Sequence, residues 1–390
     1  HGCTPSVRFF KGVSYMTYDI LVVGGGVTGC AVARELAQYD LKVALVERAA
    51  DVASNAAVLD TAVVHPGLEC LKGSIKSRLT LQGSVQMEAF CNQLGVPYEP
   101  LTAMVLASSE EERTGLQQLL DWGRSLGVEG LGLKSRAWAL EREPGLPETV
   151  QQVLSIPGCG LVSQRAMAEA LIHDAIESGA EVLSGWQVDQ VRWQAGIFIA
   201  VNSRGEEVRS SYLVNCAGLS ADVINEMVGG EPFCLRPCVS EYLKAPAPEQ
   251  AGMRAVLYPS PKAVRTGALI HRGLDPEVGY ACLDIHGADT KLAPPCDEEQ
   301  QALLRALLAQ TLPAWTQVAA EPFVMVSSKV EGREEYLIAA SNRVPGLVSA
   351  AGLGIHSIAV VPMLGQRVRE ALQVGGLLCY PKRPRRAKRK

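Results

Sequence analysis

A short apolar strand near the start of the chain is the clearest element in the pattern of hydrophobic and polar positions. Residues 18–23 (Tyr-Asp-Ile-Leu-Val-Val) form an apolar run that ends at the glycine-rich stretch 24–29 (Gly-Gly-Gly-Val-Thr-Gly). From Val27 onward apolar residues recur at helical spacing, and residues 42–47 (Lys-Val-Ala-Leu-Val-Glu) give a second short apolar run. Such runs are typical of strands that helices cover on both faces. The pattern predicts a strand, a tight turn, a helix and a second strand.

The glycines and the acid of this unit stand where a dinucleotide-binding turn needs them. Gly24 permits the tight turn, Gly26 lets the backbone approach a pyrophosphate, and Gly29 allows the helix to pack closely on the strand. The helix N-terminus adds free N–H groups and a positive dipole end. Glu47 ends the second strand, where a carboxylate accepts hydrogen bonds from ribose hydroxyls. The unit predicts an adenine dinucleotide site; the alternative is a glycine-rich turn in an unrelated α/β protein.

Later parts of the chain return to the same pattern. We predict a helix at 167–177, strands at 181–191 and 197–201, a strand with a small-residue turn and a helix at 211–222, a strand and turn at 346–352, and a helix at 362–372. The segment after Glu47 does not continue the regular alternation of a nicotinamide domain, which favours FAD over NAD. We therefore expect three separated segments to assemble one nucleotide domain.

The length of 390 residues suits two domains, and 47% hydrophobic with 20% charged residues indicates a globular protein. We expect a discontinuous FAD-binding domain at 16–92, 160–230 and 335–378, and a substrate domain at 93–159 and 231–334. Met16 is the first methionine able to start a compact domain, so residues 1–15 are expected to be an extension outside the fold.

The charge distribution argues against a protein built to bind nucleic acid. The formal net charge is −4, although seven of the 37 basic residues lie in the tail 380–390. We expect that tail to be solvated and disordered; peripheral contact with anionic lipid is the alternative. The eleven cysteines are sparse and lack zinc-ligand spacing, and no run is long enough for a spanning helix. These features predict no metal site and a cytoplasmic location, with the inner membrane as a possible surface of contact.

Several motifs together carry a resemblance to a known family. They are GGGVTG at 24–29, AVVHPG at 62–67, KGSIK at 72–76, LGVPY at 94–98, NCAG at 215–218 and AG at 351–352. From about Tyr18 to Leu372 the chain resembles FAD-dependent oxidoreductases of the D-amino-acid-oxidase-like superfamily. Within it the chain is similar to the branch of glycerol-3-phosphate dehydrogenases or oxidases and L-2-hydroxyglutarate dehydrogenases.

The resemblance implies an α/β fold with two interleaved parts. One is a Rossmann-like FAD-binding domain with a parallel sheet, and the other is an α+β substrate domain whose antiparallel sheet caps the flavin ring. Ala217, Gly218 and Gly352 would then join Gly24, Gly26, Gly29 and Glu47 as cofactor-binding residues.

Three residues are candidates for the chemistry. His65 matches the histidine of the family's Ile-Val-His-Ala-Gly segment, and because histidine as a residue type titrates near neutrality, it could take the proton of a substrate hydroxyl. His356 stands where amino-acid oxidases carry a histidine in the segment 352–362. Arg333 could bind an anionic substrate through two parallel hydrogen bonds. The alternatives are a packed His65, a locally bonded His356 and a surface ion pair of Arg333.

The resemblance implies oxidation of a small anionic substrate, a hydroxy acid or polyol phosphate, with hydride transfer to FAD. Electrons would pass to oxygen, a quinone or a redox protein, since the chain has no cysteine-rich extension for an iron–sulfur cluster. Two segments depart from the family: 54–61 has lost most phosphate-contacting donors, and 238–242 replaces an Arg-Gly-Glu-Tyr type sequence. An amino-acid oxidase of the glycine or sarcosine type and a catalytically silent flavoprotein subunit remain alternatives.

Overall fold

The computed structural model describes residues 16–52, 54, 63–70, 73–246, 253–285 and 287–382. The strands are β1 (Met16–Val23), β2 (Val43–Glu47), β3 (Val63–Val64), β4 (Tyr98–Ala107), β5 (Gly132–Ser135), β6 (Gln152–Val162), β7 (Glu181–Ser184), β8 (Gln190–Gln194), β9 (Ile197–Val201), β10 (Glu207–Asn215), β11 (Leu235–Pro246), β12 (Ala255–Tyr258), β13 (Leu269–Arg272), β14 (Val278–Ile285), β15 (Glu321–Val330), β16 (Leu337–Ala340) and β17 (Leu347–Ala351). The helices are α1 (Val27–Ala37), α2 (Ile75–Leu94), α3 (Glu110–Ser125), α4 (Arg136–Arg142), α5 (Gln164–Glu177), α6 (Ala221–Val228), α7 (Pro261–Thr266), α8 (Glu298–Thr311) and α9 (Ser357–Val374).

A parallel sheet forms the first half of the molecule. Its strands run in the order β16-β17-β10-β1-β2-β7, and those from β17 to β7 are parallel to one another. β16 is antiparallel to β17, and the hairpin β8–β9 extends β10. The residues of β2 are buried throughout, as expected of a strand that helices cover on both faces.

Helices α1, α5 and α9 pack together beside this sheet, and α2 packs on α9. Their apolar residues form one core cluster, which includes Leu36, Leu171 and Leu364. Ion pairs tie the helices at the periphery: Arg34 Nε lies 2.5 Å from Asp174 on α5. These contacts hold α9, and the turn before it, against the edge of the sheet where the predicted cofactor residues lie.

A second, mainly antiparallel sheet forms the other half. Its order is β15-β11-β14-β13-β12-β4-β6-β3, with β5 paired to β6; only the pairing of β12 with β4 is parallel among the described strands. One face packs in a core with Tyr258, Tyr280 and Tyr242. The expected fold class, a parallel Rossmann-like sheet combined with an antiparallel sheet, is confirmed.

Two predicted elements differ from the structure. The strand expected at 181–191 ends at Ser184 and resumes at Gln190, because Gly185 adopts a left-handed conformation (φ +65°) and turns the chain. The helix expected at 362–372 begins at Ser357, with Pro362 inside it. Proline removes one helical hydrogen bond there, but Ile358 and its neighbours are fully buried, so packing maintains the first turn.

The predicted domain bounds stay a prediction, although the strands distribute unevenly across them. β3 lies within the segment assigned to the FAD-binding domain, yet it pairs with β6 of the second sheet. In the part of the chain that the structure describes, no helix is long and apolar enough to cross a membrane. The cysteines there are free, and no cluster of side chains suited to a metal ion occurs among the same residues.

Candidate active site

The residues predicted to bind the cofactor gather at one edge of the first sheet. The neighbouring parallel strands β2, β1, β10 and β17 all end there. Their ends carry, in that order, Glu47, the turn with Gly24 and Gly26, the pair Ala217 and Gly218, and Gly352; Gly29 lies in the first turn of α1. In α/β proteins, ligands bind in the crevice outside the carboxyl ends of such strands. The structure therefore brings the predicted set together.

The glycine turn has open space for a phosphate group at one position, Gly26. A Cβ at Gly24 would collide with the carbonyl oxygen of Cys216, and a Cβ at Gly29 would collide with the carbonyl oxygen of Gly24. These two glycines allow close packing. A Cβ at Gly26 would meet no atom within 4 Å. Gly26 also begins α1, which has neither a side-chain cap nor an acidic residue in its first turn.

These features fit the pyrophosphate of FAD. The uncapped N–H groups and the positive end of the α1 dipole face the open space above Gly26. Glu47 fits the ribose: its two carboxylate oxygens accept hydrogen bonds from the N–H groups of Gly25 at 2.6 Å and Ala49 at 2.8 Å. A carboxylate oxygen has further lone-pair capacity, so Glu47 can also accept from ribose hydroxyls.

The two later turns differ in their surroundings. A Cβ at Gly218 would find no atom within 4 Å, as at Gly26. A Cβ at Gly352 would lie 2.7 Å from Cγ2 of Val330, and Gly352 has a φ of +71°. Gly352 therefore allows the turn after β17 to pack against β15. Residues 55–61 of the loop predicted to be poor in phosphate contacts lie outside the described residues.

His65 and His356 lie together, joined by a carboxylate that the sequence did not single out. Glu69 Oε1 lies 3.3 Å from Nδ1 of His65 and 3.2 Å from Nε2 of His356. The two rings meet edge to face, with centroids 5.4 Å apart. The three side chains are 8–9% exposed. We call His65, Glu69 and His356 the histidine–carboxylate cluster.

The cluster joins the two halves of the molecule at the cofactor edge. His65 directly follows β3 of the second sheet, and Glu69 follows four residues later. His356 lies in the turn after β17, immediately before α9. Tyr258, at the end of β12, places its hydroxyl 3.4 Å from Nδ1 of His65. The cluster thus lies between the carboxyl end of β17 and the second sheet.

Burial and charge set the protonation states of this cluster. Burial alone would raise the pKa of the Glu69 carboxyl, but the hydrogen bond from His356 and the charges of both histidines outweigh it and lower the pKa to about 2. Burial lowers the pKa of His356, and the bond to Glu69 offsets this only partly. Glu69 is therefore ionised within a buried site.

Two lysines supply positive charge beside His356. The charges of Lys76 and Lys329 both act to lower the pKa of His356. Lys76 is 9% exposed, and its ammonium lies 5.3 Å from the centre of the Tyr336 ring. The carboxylate of Glu335 accepts a hydrogen bond from the backbone N–H of Lys76 at 2.7 Å, and not from its ammonium group. The cluster therefore has two cations on the side of His356.

Arg333 is placed apart from the buried cluster. It lies in the turn between β15 and β16, and its side chain is exposed. The ion pair that would make it an ordinary surface charge is absent among the described residues, and Glu335 is turned instead toward the start of α2. The predicted role of Arg333 in binding a substrate anion stays a prediction.

Sequence reasoning missed Glu69, Tyr258 and Lys76 as members of the site. Lys76 belongs to one of the motifs that carried the resemblance, so its place was visible although its role was not. Glu69 stands four residues after His65, a spacing that could have marked it as a partner. Tyr258 ends a four-residue strand with no polar neighbour, and its sequence offers no signal of function.

A parallel sheet with a glycine turn and an acidic residue at its carboxyl edge, beside an antiparallel sheet, is the fold class of flavin-type nucleotide-binding oxidoreductases. The chain belongs to the FAD-dependent oxidoreductase (DAO) family, whose model matches residues 19–371. The resemblance deduced from the motifs and FAD as the cofactor are thereby confirmed.

Curated relatives narrow the comparison. The chain is 30% identical to a glycerol 3-phosphate dehydrogenase of Caloramator mitchellensis over 65% of this chain and 52% of that protein. It is also 30% identical to the mitochondrial L-2-hydroxyglutarate dehydrogenase of Bos taurus, over 64% of this chain and 56% of the relative. The matches thus span about half the length of these relatives.

Solved structures support the fold. The L-α-glycerophosphate oxidase of Mycoplasma pneumoniae, with FAD bound, superposes with a TM-score of 0.86 at 19% identity, covering 94% of this chain and 96% of that one. A glycine oxidase of Geobacillus kaustophilus gives a TM-score of 0.79 at 22% identity, covering 92% and 95%. Both likenesses are likenesses of fold.

Proposed function

We propose that the protein oxidises a small hydroxy acid or polyol phosphate, of the glycerol 3-phosphate or L-2-hydroxyglutarate type, with FAD as the hydride acceptor. The observation that carries this proposal is the buried histidine–carboxylate cluster at the cofactor edge. Lys76 and Lys329 beside it suit an anionic substrate. The two curated relatives named above are dehydrogenases of substrates of this class.

The side chains of the cluster provide the proton chemistry that alcohol oxidation needs. Bound FAD supplies the two-electron oxidation by accepting a hydride from the carbon that carries the hydroxyl. His65 takes the hydroxyl proton, because it is a buried imidazole whose Nδ1 faces the Glu69 carboxylate. Burial of the cluster limits the access of water to the reacting groups.

The proposed reaction also needs a second substrate that accepts the electrons. An electron acceptor, whether oxygen, a quinone or a redox protein, must reoxidise the flavin. Most of the basic tail, residues 383–390, lies outside the described residues. A cytoplasmic location is part of the proposal, and contact of this tail with a membrane surface is the alternative to a solvated tail.

Amine oxidation is a second candidate, which one observation favours. Glu69 is ionised inside the site, and a buried carboxylate attracts an ammonium group. The fold is shared with a glycine oxidase. An ammonium group on the substrate therefore separates the two candidates, since Glu69 attracts it, whereas both substrate classes carry the anionic group that the lysines favour.

Anaerobic reduction of the reconstituted protein tests the proposal. The FAD-loaded protein is mixed with glycerol 3-phosphate, L-2-hydroxyglutarate, glycine or sarcosine, and the loss of the flavin absorbance band is followed by stopped flow. We expect bleaching by one of the first two. Bleaching only by glycine or sarcosine would establish the amine oxidase. Bound FAD that none of the four compounds reduces would support the catalytically silent flavoprotein, and a protein that cannot be reconstituted with FAD would contradict both candidates.

The His65→Ala variant tests the proton acceptor. We expect it to keep its bound flavin and to reduce it about 10²- to 10⁴-fold more slowly, as for loss of a general base. His173→Ala is the matched control, because His173 is an exposed histidine on α5. In this variant the substrate should reduce the flavin at the normal rate. An unchanged reduction rate in His65→Ala would remove His65 from the mechanism.

A further inference from the structure

One carboxylate oxygen serves two histidines in this site. Glu69 Oε1 contacts Nδ1 of His65 and Nε2 of His356, whereas Oε2 is buried with no hydrogen-bond partner among the described residues. Buried polar atoms in proteins are almost always hydrogen-bonded. Oε2 of Glu69 is thus an exception to this rule, and the packing of the two halves of the molecule does not explain it.

An ionised carboxylate can only accept hydrogen bonds, so a ring nitrogen that bonds to it must carry hydrogen. His356 Nε2 is hydrogen-bonded to Glu69 Oε1 and therefore carries the proton of that ring. Nδ1 of His65 lies 3.3 Å from the same carboxylate oxygen and 3.4 Å from the Tyr258 hydroxyl, and a proton on Nδ1 is the arrangement that suits the carboxylate. In a neutral imidazole the other nitrogen holds the lone pair, which would place the basic position of His65 at Nε2 and that of His356 at Nδ1.

We propose that Glu69 is a positioning residue that fixes the tautomers of His65 and His356 and raises the affinity of both rings for a proton. This inference rests on the proposed function and deepens it. The proton of the substrate O–H bond would form an N–H bond at the lone pair of His65, and bound FAD would supply the acceptor for the hydride of the adjacent C–H bond. The net charge of the three side chains then changes from −1 to 0, which favours proton uptake in a buried site.

The other groups that face the two rings cannot replace this carboxylate. On the second sheet, burial raises the pKa of the Tyr258 hydroxyl well above its usual value and lowers the pKa of His271 to about 4, so both are neutral. Burial also raises the pKa of Cys159 far above its usual value. The lysines, Lys76 on α2 and Lys329 on β15, oppose the protonation of His356.

The remaining neighbours lie beside His356. Cys70 Sγ is 3.9 Å from Nε2 of His356, and burial raises the pKa of this thiol to about 12. Burial also raises the pKa of Tyr336 well above its usual value. Glu335 is a second carboxylate in this region, but it is engaged by the backbone N–H groups of Ile75 and Lys76. Glu69 is therefore the anion in contact with both rings among the described groups.

Histidine titration by NMR tests the inference without turnover. The protein is labelled with ¹³C at Cε1 of histidine, reconstituted with FAD, and titrated in the absence of substrate; His→Gln variants assign the resonances. We expect Glu69→Gln to lower the titration midpoints of both rings by about one pH unit or more, as for loss of an adjacent opposite charge. Glu69→Asp keeps the charge one methylene farther back and should lower the midpoints less.

The chain contains a matched control for this experiment. His173 and Glu177 have the same i,i+4 spacing as His65 and Glu69, but their side chains are 74% and 68% exposed and 3.9 Å apart. Solvent screens such a pair, which makes Glu177→Gln the matched control for the loss of a carboxylate beside a histidine. The ¹⁵N shifts of the two buried rings report the tautomers in the same samples.

The outcomes separate this inference from the proposed function. Midpoints of His65 and His356 that stay unchanged in Glu69→Gln would overturn the inference, even in an active enzyme. Lowered midpoints in a protein whose flavin no substrate reduces would uphold the role of Glu69 and reject the proposed function. Should Glu69→Gln fail to fold, Glu69→Asp decides the matter: a lowered midpoint supports the inference, and unchanged midpoints of both rings refute it.

Discussion

At the scale of single residues, Gly26 shows how a missing side chain can serve a ligand rather than the fold. Its backbone is extended (φ −70°, ψ 174°), a conformation open to any residue. A Cβ at Gly26 would meet no atom within 4 Å, whereas a Cβ at Gly24 or Gly29 would collide with a backbone carbonyl oxygen. Stability and cofactor binding therefore depend on different glycines of one motif.

The Gly26→Val variant separates these two roles. We expect it to fold with a thermal midpoint close to that of the unmodified protein, because a Cβ at this position meets no atom within 4 Å and only the weaker N-cap of valine acts against stability. FAD at about a hundred times its Kd should stabilise the unmodified protein by about 2.7 kcal/mol, and this gain should vanish in the variant. Differential scanning fluorimetry with and without FAD measures both effects.

Gly132→Val is the control for this experiment. A Cβ at Gly132 also meets only open space, with Lys134 Cε the nearest atom at 3.9 Å, but Gly132 lies on β5 of the second sheet. The control should keep the full stabilisation by FAD. A normal FAD response in Gly26→Val would show that the pyrophosphate does not approach the chain at this turn.

The residues of the site were predictable only where a local motif marks them. Glycines 24, 26 and 29, with Glu47, follow from one short unit whose strand, turn and helix are contiguous. Glu69 acquires its role from His356, which is 287 positions away along the chain, and no local pattern records that contact. Lys76 likewise depends on the approach of Tyr336 from a distant segment.

At the scale of elements, the crossing of α2 over α9 depends on one glycine. A Cβ at Gly83 of α2 would collide with the carbonyl oxygen of Ala359 on α9. That neighbour is backbone, so it cannot rotate aside as a side chain would. The close approach of the two helices also fixes the start of α9, where His356 lies.

The Gly83→Ala variant tests this contact. Alanine favours a helix over glycine by about 1 kcal/mol, but overpacking costs about 1–3 kcal/mol or more, and a rigid backbone neighbour favours the upper end. We expect a net loss of about 2 kcal/mol in the free energy of unfolding, measured by urea denaturation. Gln82→Ala, an exposed change one position earlier, should stay within about 0.5 kcal/mol. A stabilised Gly83→Ala would mean that the helices are farther apart.

Elements built from local signals were predicted well, and those that depend on distant partners were not. β1, α1 and β2 follow from their own hydrophobic pattern and from the glycines of the turn between β1 and α1. The sequence predicts this helix from Pro362, and only burial of the preceding turn reveals the earlier start at Ser357. The pairings of the second sheet join strands far apart in sequence, and the hydrophobic periodicity of each strand does not predict its partner.

At the scale of the whole molecule, a buried acid makes stability depend on pH. Glu143 is fully buried after α4; its Oε2 accepts from the backbone N–H of Arg254 at 2.9 Å, and its Oε1 has no partner among the described residues. Burial raises the pKa of this carboxyl from 4.5 to about 7, and the hydrogen bonds from the backbone offset only part of that rise. The folded chain therefore binds a proton that the unfolded chain releases near pH 4.5.

The Glu143→Gln variant should reveal this cost. Below about pH 4.5 both states are protonated and the carboxyl costs nothing; as the pH rises through about 7, the folded state must bury a charge. Relative to the variant, the unmodified protein should lose about 3 kcal/mol of stability between these limits. Urea denaturation at pH 5 and pH 8 measures the difference, with exposed Glu141→Gln as control. Parallel pH profiles for Glu143→Gln and the unmodified protein would contradict the buried charge.

The order of strands in the first sheet has a consequence for how the chain reaches its native state. β1 lies between β2 and β10, and β10 in turn pairs with β17, near the end of the described chain. A polypeptide leaving the ribosome therefore exposes the apolar β1 long before its second neighbour exists. Such high contact order slows folding, and we expect the nascent chain to depend on chaperones until residues 347–351 have been synthesised.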